Sequence, residues 1–250
     1  MRTRVVTAVV CLMLAGCASR PATLPVEWIV APCATPVDTL LVLLPGAFDR
    51  AHDFVDQGFV AAVRDQRIAA DIALVDASVP FYRDRDLVPR LEADVVAPAR
   101  ARGIRHLWFA GISIGGLGSL IYANEHRGGV DGLLLIAPYL GERSIVAEVA
   151  ASGGLAHWAP PGVVPADDDD RRLWQWAKTL AYPPEGTRVP PVWLGFGVDD
   201  RFVAAHRLFA AALPADHVFT APGGHDWPAW RDAWPRMLAA APLPRGCVPP

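Results

Sequence analysis

The sequence predicts an α/β protein, with a mainly parallel, twisted sheet covered by helices on both faces. Short continuous apolar runs recur along the chain, as expected of strands buried on both sides. Helical patterns separate these runs, which is the alternation that builds parallel sheets. The composition agrees: 52% hydrophobic residues supply a core, 20% charged residues exclude the disordered class, and 24 prolines with 21 glycines imply many loops.

The elements follow in order. Residues 39–44 form an apolar run (Leu40 to Leu44) stopped by Pro45-Gly46, and residues 53–65 read as a helix. A short strand is predicted at 71–75, then a helix opening at Asp84 that repeats Leu87, Leu91 and Val95 on one face. Two apolar runs, 105–110 and 132–137, flank a helix of small residues from Ile114 to His126. Alternation lapses between 138 and 190, where helix-like pieces surround Pro160-Pro161-Gly162, four aspartates (Asp167 to Asp170) and three tryptophans (Trp158, Trp174, Trp176). This stretch is expected to be a helical cap inserted above one edge of the sheet, its tryptophans a packed lid core and its aspartates a solvated face. Strand, helix, strand and helix then resume at 191–196, 202–213, 217–220 and 226–238. The expected organisation is one domain over 27–250.

The chain begins differently. Arg2 and Arg4 precede an apolar run from Val5 to Leu14, too short to cross a bilayer as a helix, and the run ends in Leu14-Ala15-Gly16-Cys17. This arrangement resembles the lipobox of bacterial lipoproteins. The resemblance implies a signal peptide over 1–16, lipidation of Cys17 and a tether over 17–26 containing Pro21 and Pro25. It places the protein in the cell envelope on the periplasmic side, and Ala18 leans toward the outer membrane. With Cys11 removed and Cys17 lipidated, Cys33 and Cys247 are left in an oxidising compartment, where a disulfide between the two ends of the domain is expected. A net charge of −3 without a basic cluster argues against nucleic acid as a partner.

The chemistry centres on Gly111-Ile112-Ser113-Ile114-Gly115, placed between a predicted strand and a predicted helix. A serine at such a turn projects its hydroxyl outward, provided that its neighbours are small enough for strand and helix to cross closely. Gly111, Gly115 and Gly116 meet that need; the plain alternative is a serine that merely caps the helix. A serine hydroxyl needs a base, and His225 in Gly223-Gly224-His225-Asp226-Trp227 follows the last strand. Strand 191–196 is followed by two adjacent candidates for the acid that orients the histidine, Asp199 and Asp200, with Asp226 weaker. The order Ser, Asp, His, each after a strand, resembles the α/β-hydrolase superfamily from about Thr39 to Leu238. The resemblance implies Asp200 as the acid, since it stands three residues after Gly197 and just before Arg201. It further implies an acyl-enzyme on Ser113, with esters or thioesters as substrates and no cofactor or metal. It also implies an oxyanion hole from the N–H groups of Ile114 and of Ala47 or Phe48 in the loop after the first strand, where Pro45 departs from the family's usual histidine. Two other functions share these residues: an acyltransferase on the same triad, and a non-catalytic envelope lipoprotein on the same scaffold.

Cells fed radiolabelled palmitate are expected to label the wild-type chain and not the Cys17→Ser chain. Equal labelling of the two would remove the anchor.

Overall fold

The computed structural model describes residues 23–247. The signal segment, Cys17 and most of the expected tether lie outside the described residues. Seven strands form one sheet in the order β1-β3-β2-β4-β5-β6-β7. They are β1 (Val26–Ile29), β2 (Thr39–Leu44), β3 (Asp71–Val75), β4 (His106–Ile112), β5 (Gly132–Ile136), β6 (Val192–Gly197) and β7 (Val218–Ala221). All neighbours are parallel except β1, which runs antiparallel to β3. Every residue of β2, β5 and β6 is buried, which is why these segments carry no polar alternation.

The helices are α1 (Asp53–Asp56), α2 (Phe59–Asp65), α3 (Val79–Arg83), α4 (Leu87–Leu91), α5 (Ala97–Ala101), α6 (Ile114–Glu125), α7 (Arg143–Ala151), α8 (Asp169–Ala181), α9 (Val203–Ala210) and α10 (Trp227–Ala240). One group, α1, α2 and α10, packs together and covers β5 to β7; α4, α6 and α8 form a second group against β2, β4 and β5. The first group is held by aromatic rings. Phe59 stacks on Trp234 at 5.0 Å and meets Trp227 edge-on at 5.4 Å, while the Trp234 indole N–H donates to the Phe59 carbonyl at 3.0 Å.

Several expected boundaries shift for local reasons. The helix expected over 53–65 is two, because Gly58 takes a left-handed φ of 79° between them. The helix expected from Asp84 begins at Leu87, after the unexpected α3, and a π turn at Glu92–Val96 links α4 to α5, where Pro98 contributes no N–H. Leu87, Leu91 and Val95 are buried as their spacing requires. The antiparallel β1 was not expected at all, since three half-buried residues and the exposed Glu27 leave no run to detect. It also moves the start of the domain: Leu24, in the expected tether, is 4% exposed and its N–H donates to Asp94 at 2.8 Å.

The segment between β5 and β6 holds α7 and α8 and no strand. It leaves the sheet between two adjacent interior strands rather than above an edge. Trp158, Trp174 and Trp176 are all buried in it. The aspartate run is divided among tasks: Asp168 caps α8, Asp169 pairs with Arg85 at 2.7 Å, and Asp170 accepts the Glu142 N–H at 3.0 Å.

Cys33 and Cys247 are joined in a disulfide that spans 214 residues of sequence. The terminal segment reaches it along residues 67–69, where the Gly246 and Cys247 N–H groups donate to the Arg67 carbonyl. Closing so long a loop lowers the entropy of the unfolded chain. Cys33→Ser with Cys247→Ser is therefore expected to lower unfolding free energy by about 2–5 kcal/mol in urea titrations without reductant. An unchanged midpoint would rule this contribution out.

Candidate active site

The site lies at the carboxyl ends of the parallel strands, where an open α/β sheet presents its loops. β4 ends at Ile112 and α6 begins at Ile114, leaving Ser113 alone in the turn with φ 53° and ψ −115°. Such a backbone costs a non-glycine residue about 1–3 kcal/mol and persists only when its surroundings over-determine it. Here they do. The Ser113 N–H donates to Ile136 at 2.9 Å, and its carbonyl accepts from Gly116, Leu117 and Tyr139. A side chain at Gly111 would run into the Gly115 carbonyl, and one at Gly115 into the Leu44 carbonyl. At Gly116 an added Cβ would stand 2.7 Å from Pro138. The small residues are thus a packing requirement of the turn. Ser113 does not cap α6 through its side chain, and its hydroxyl makes no hydrogen bond to another described residue, His225 included.

Asp200 and His225 are brought together. The Asp200 side chain is buried, and its two oxygens accept from the Phe202 N–H at 2.7 Å and from His225 Nδ1 at 2.7 Å. Burial pushes this carboxyl up, but the hydrogen bonds from His225 and Phe202, with the nearby imidazoles, outweigh it and hold Asp200 below its ordinary value. An ionised Asp200 accepts only, so His225 Nδ1 is the donor in this pair. The ring is clamped edge-on between Phe202 at 5.1 Å and Trp230 at 5.2 Å. The histidine loop closes directly over β6: a Cβ at Gly197 would strike the Gly223 and Gly224 carbonyls. Of the rivals, Asp199 is exposed and gives only its N–H to Gly223 at 3.0 Å, without capping α9. Asp226 caps α10 by accepting from Ala229.

The loop after β2 completes the surroundings. Pro45 and Gly46 are buried against the turn, with Gly46 beside Ile112. Among the described residues, the N–H groups of Ala47, Phe48 and Ile114 donate to no carbonyl, so all three are open donors and both Ala47 and Phe48 stay available. Asp49 was not foreseen. Its carboxylate lies against Gly46 and accepts the Trp227 indole N–H at 3.1 Å, tying this loop to the segment just after His225. Burial raises the pKa of Asp49, partly offset by that indole hydrogen bond. Residues 178 apart in sequence leave no local signal for such a contact.

The other histidines are engaged elsewhere. His206, fully buried, donates from Nε2 to the Pro138 carbonyl at 2.9 Å, and burial lowers its pKa, keeping it neutral. It thereby fixes Pro138 beneath Gly116. His52, His106, His126, His157 and His217 contact Glu27, Asp131, Glu92, Gly153 and Val192. Among the described residues no group of three His, Cys, Asp or Glu could hold a metal ion.

Because the native pKa of Asp200 is depressed, its contribution to stability is complete above the ordinary value of 3.8. That contribution declines as pH falls below it and vanishes beneath the lowered native value. Asp200→Asn is expected to be about 1–3 kcal/mol less stable than wild type at neutral pH, with the gap closing in acid. A gap independent of pH would contradict an ionised Asp200 in this pair.

Residues 82–241 match the Esterase family, described as "Putative esterase". The S-formylglutathione hydrolase of Staphylococcus aureus superposes with a TM-score of 0.55 at 12% identity, over 82% of this chain and 81% of its own. Est1E from Butyrivibrio proteoclasticus gives 0.54 at 17% identity, over 87% and 94%. The monoacylglycerol lipase of Paleococcus ferrophilus gives 0.52 at 15% identity, over 87% and 99%. No curated protein matches the sequence. At these identities the superpositions establish the fold, which is that of the α/β-hydrolases. The family match spans more than half of the chain, and the protein belongs to the Esterase family.

Proposed function

We propose that the protein is a serine esterase that cleaves carboxylic esters or thioesters through an acyl-enzyme on Ser113. The observation that carries this is the strained Ser113 backbone at the end of β4, with the Asp200–His225 pair at the same end of the sheet. Strain held by so many contacts is a cost that a merely capping serine does not need.

In the proposed reaction Ser113 Oγ attacks the substrate carbonyl while His225 Nε2 takes its proton. Asp200 keeps Nδ1 protonated and stabilises the imidazolium that forms. The carbonyl oxygen becomes an oxyanion, received by the N–H of Ile114 and by that of Ala47 in the loop after β2. The imidazolium then protonates the leaving alcohol or thiol. Water, deprotonated by the same nitrogen, releases the acid and restores Ser113. An ester leaving group needs less protonation than an amine, which favours esters over peptides.

The proposed setting is the cell envelope, with Cys17 lipidated and the acyl chains as anchor, the outer membrane being preferred. The apolar run ending in Leu14-Ala15-Gly16-Cys17 supports this, and so does the Cys33–Cys247 disulfide, a bond typical of oxidising compartments. No helix among the described residues is long and apolar enough to cross a membrane.

A fluorophosphonate probe is expected to form one adduct, located at Ser113 by peptide mass spectrometry. Ser113→Ala should lose the adduct and lower kcat for p-nitrophenyl esters by about 10³-fold or more. Equal turnover by the two proteins would refute the proposed nucleophile.

A further inference from the structure

Beside the site lies a groove of about 890 Å³ between α7 and α9 that the proposed chemistry does not use. Val146, Ala150, Leu155, Leu208 and Ala211 contribute apolar walls. Neither Ser113 nor His225 lines it. It reaches them through Phe202, which forms part of its wall and also packs edge-on against the His225 ring at 5.1 Å. Tyr139 also meets Phe202 at 5.7 Å, and its N–H holds the Ser113 carbonyl at 2.9 Å. Phe202 is thus shared by the groove wall and the surroundings of His225.

The polar lining is one-sided. Arg143, Arg201 and Arg207 line the groove, with His157, and no Asp or Glu does. The whole chain has 26 acidic residues to 23 Lys and Arg, so a lining of this sign is not an average sample of its surface. None of the three guanidiniums makes an ion pair among the described residues, although most of the chain's described ion pairs use an arginine. Nearby Glu142 and Asp170 are engaged behind Gly141. Glu142 accepts from the Tyr139 hydroxyl at 3.3 Å, and Asp170 from the Glu142 N–H.

An apolar trough with uncompensated cations suits an amphiphile whose far end is negative. We propose that this groove is the specificity subsite for one arm of an anionic ester, an aliphatic or aromatic arm that ends in a carboxylate or comparable anion held by Arg143 and Arg207. The inference rests on Ser113 esterase chemistry and names the substrate class of that same site.

The test compares p-nitrophenyl monoesters of dicarboxylic acids with neutral p-nitrophenyl esters of equal length, and places the carboxylate on the alcohol arm in a second matched series. On one arm, kcat/KM is expected to be roughly tenfold higher for the anionic member, within the range of a few partly exposed charge contacts. The ratio should fall toward one in Arg143→Gln with Arg207→Gln. In the wild-type protein it should also fall with added salt, a readout independent of whether the double variant folds. A ratio of one or less on both arms overturns the proposal, as does a ratio indifferent to both salt and the variant. Sedimentation showing a dimer that Leu208→Asp dissolves would assign the groove to a second copy and also overturn it. Failure of Ser113 chemistry itself would show separately, as absence of the fluorophosphonate adduct and of Ser113-dependent turnover of the neutral esters.

Discussion

The close crossing of β4 and α6 beneath Ser113 is the constraint on which the rest of the site depends. The crossing leaves no room for a Cβ at Gly111 or Gly115, and little at Gly116. The turn is consequently too tight for an ordinary backbone, and Ser113 takes a left-handed φ. Relief of that strain is blocked from three sides. β5 receives the Ser113 N–H, α6 donates to its carbonyl, and the chain leaving β5 donates through Tyr139. That last segment is itself stapled, since Pro138 touches Gly116 and gives its carbonyl to the buried His206. A strained residue held in this way can present its hydroxyl without first being ordered by substrate.

The imidazole depends on a second set of contacts. Asp200 is buried enough for desolvation to oppose its charge, and the hydrogen bonds from His225 and Phe202 help to outweigh that burial and hold its pKa below the ordinary value. Loss of either partner would leave a buried carboxyl uncompensated, so acid, backbone turn and histidine act as one unit. Trp227 and Trp230, just downstream of His225, extend that unit in two directions. Trp230 clamps the imidazole ring, while Trp227 hydrogen-bonds Asp49 and packs on Phe59. The loop with the open N–H groups is thereby positioned by the same helix that follows the histidine.

Much of this was legible before any coordinates. Strands buried on both faces announce themselves as unbroken apolar runs, and six of the seven were placed to within one or two residues at each end. Glycines that relieve a close crossing stand next to the serine they serve, so the turn was readable within five residues. The resemblance to the α/β-hydrolases selects Asp200 over Asp199, and the structure brings Asp200 to His225 while leaving Asp199 in solvent. The elements that escaped had weak or distributed signals. β1 is four residues at an edge, none of them fully buried, and α3 begins with Val79-Pro80 in a stretch without periodicity.

The sequence by itself determined the sheet, the serine turn and the chain order of serine, acid and histidine, because each is written in neighbouring residues through apolar runs, small side chains and turns. Only the tertiary structure decided that Asp49 meets Trp227, that His206 supports Pro138, and that an arginine-lined groove opens beside Phe202. These contacts join residues 68 and 178 positions apart or gather single side chains from separate helices. Their partners are set by how the helices pack on the sheet, and no pattern confined to one segment encodes that packing.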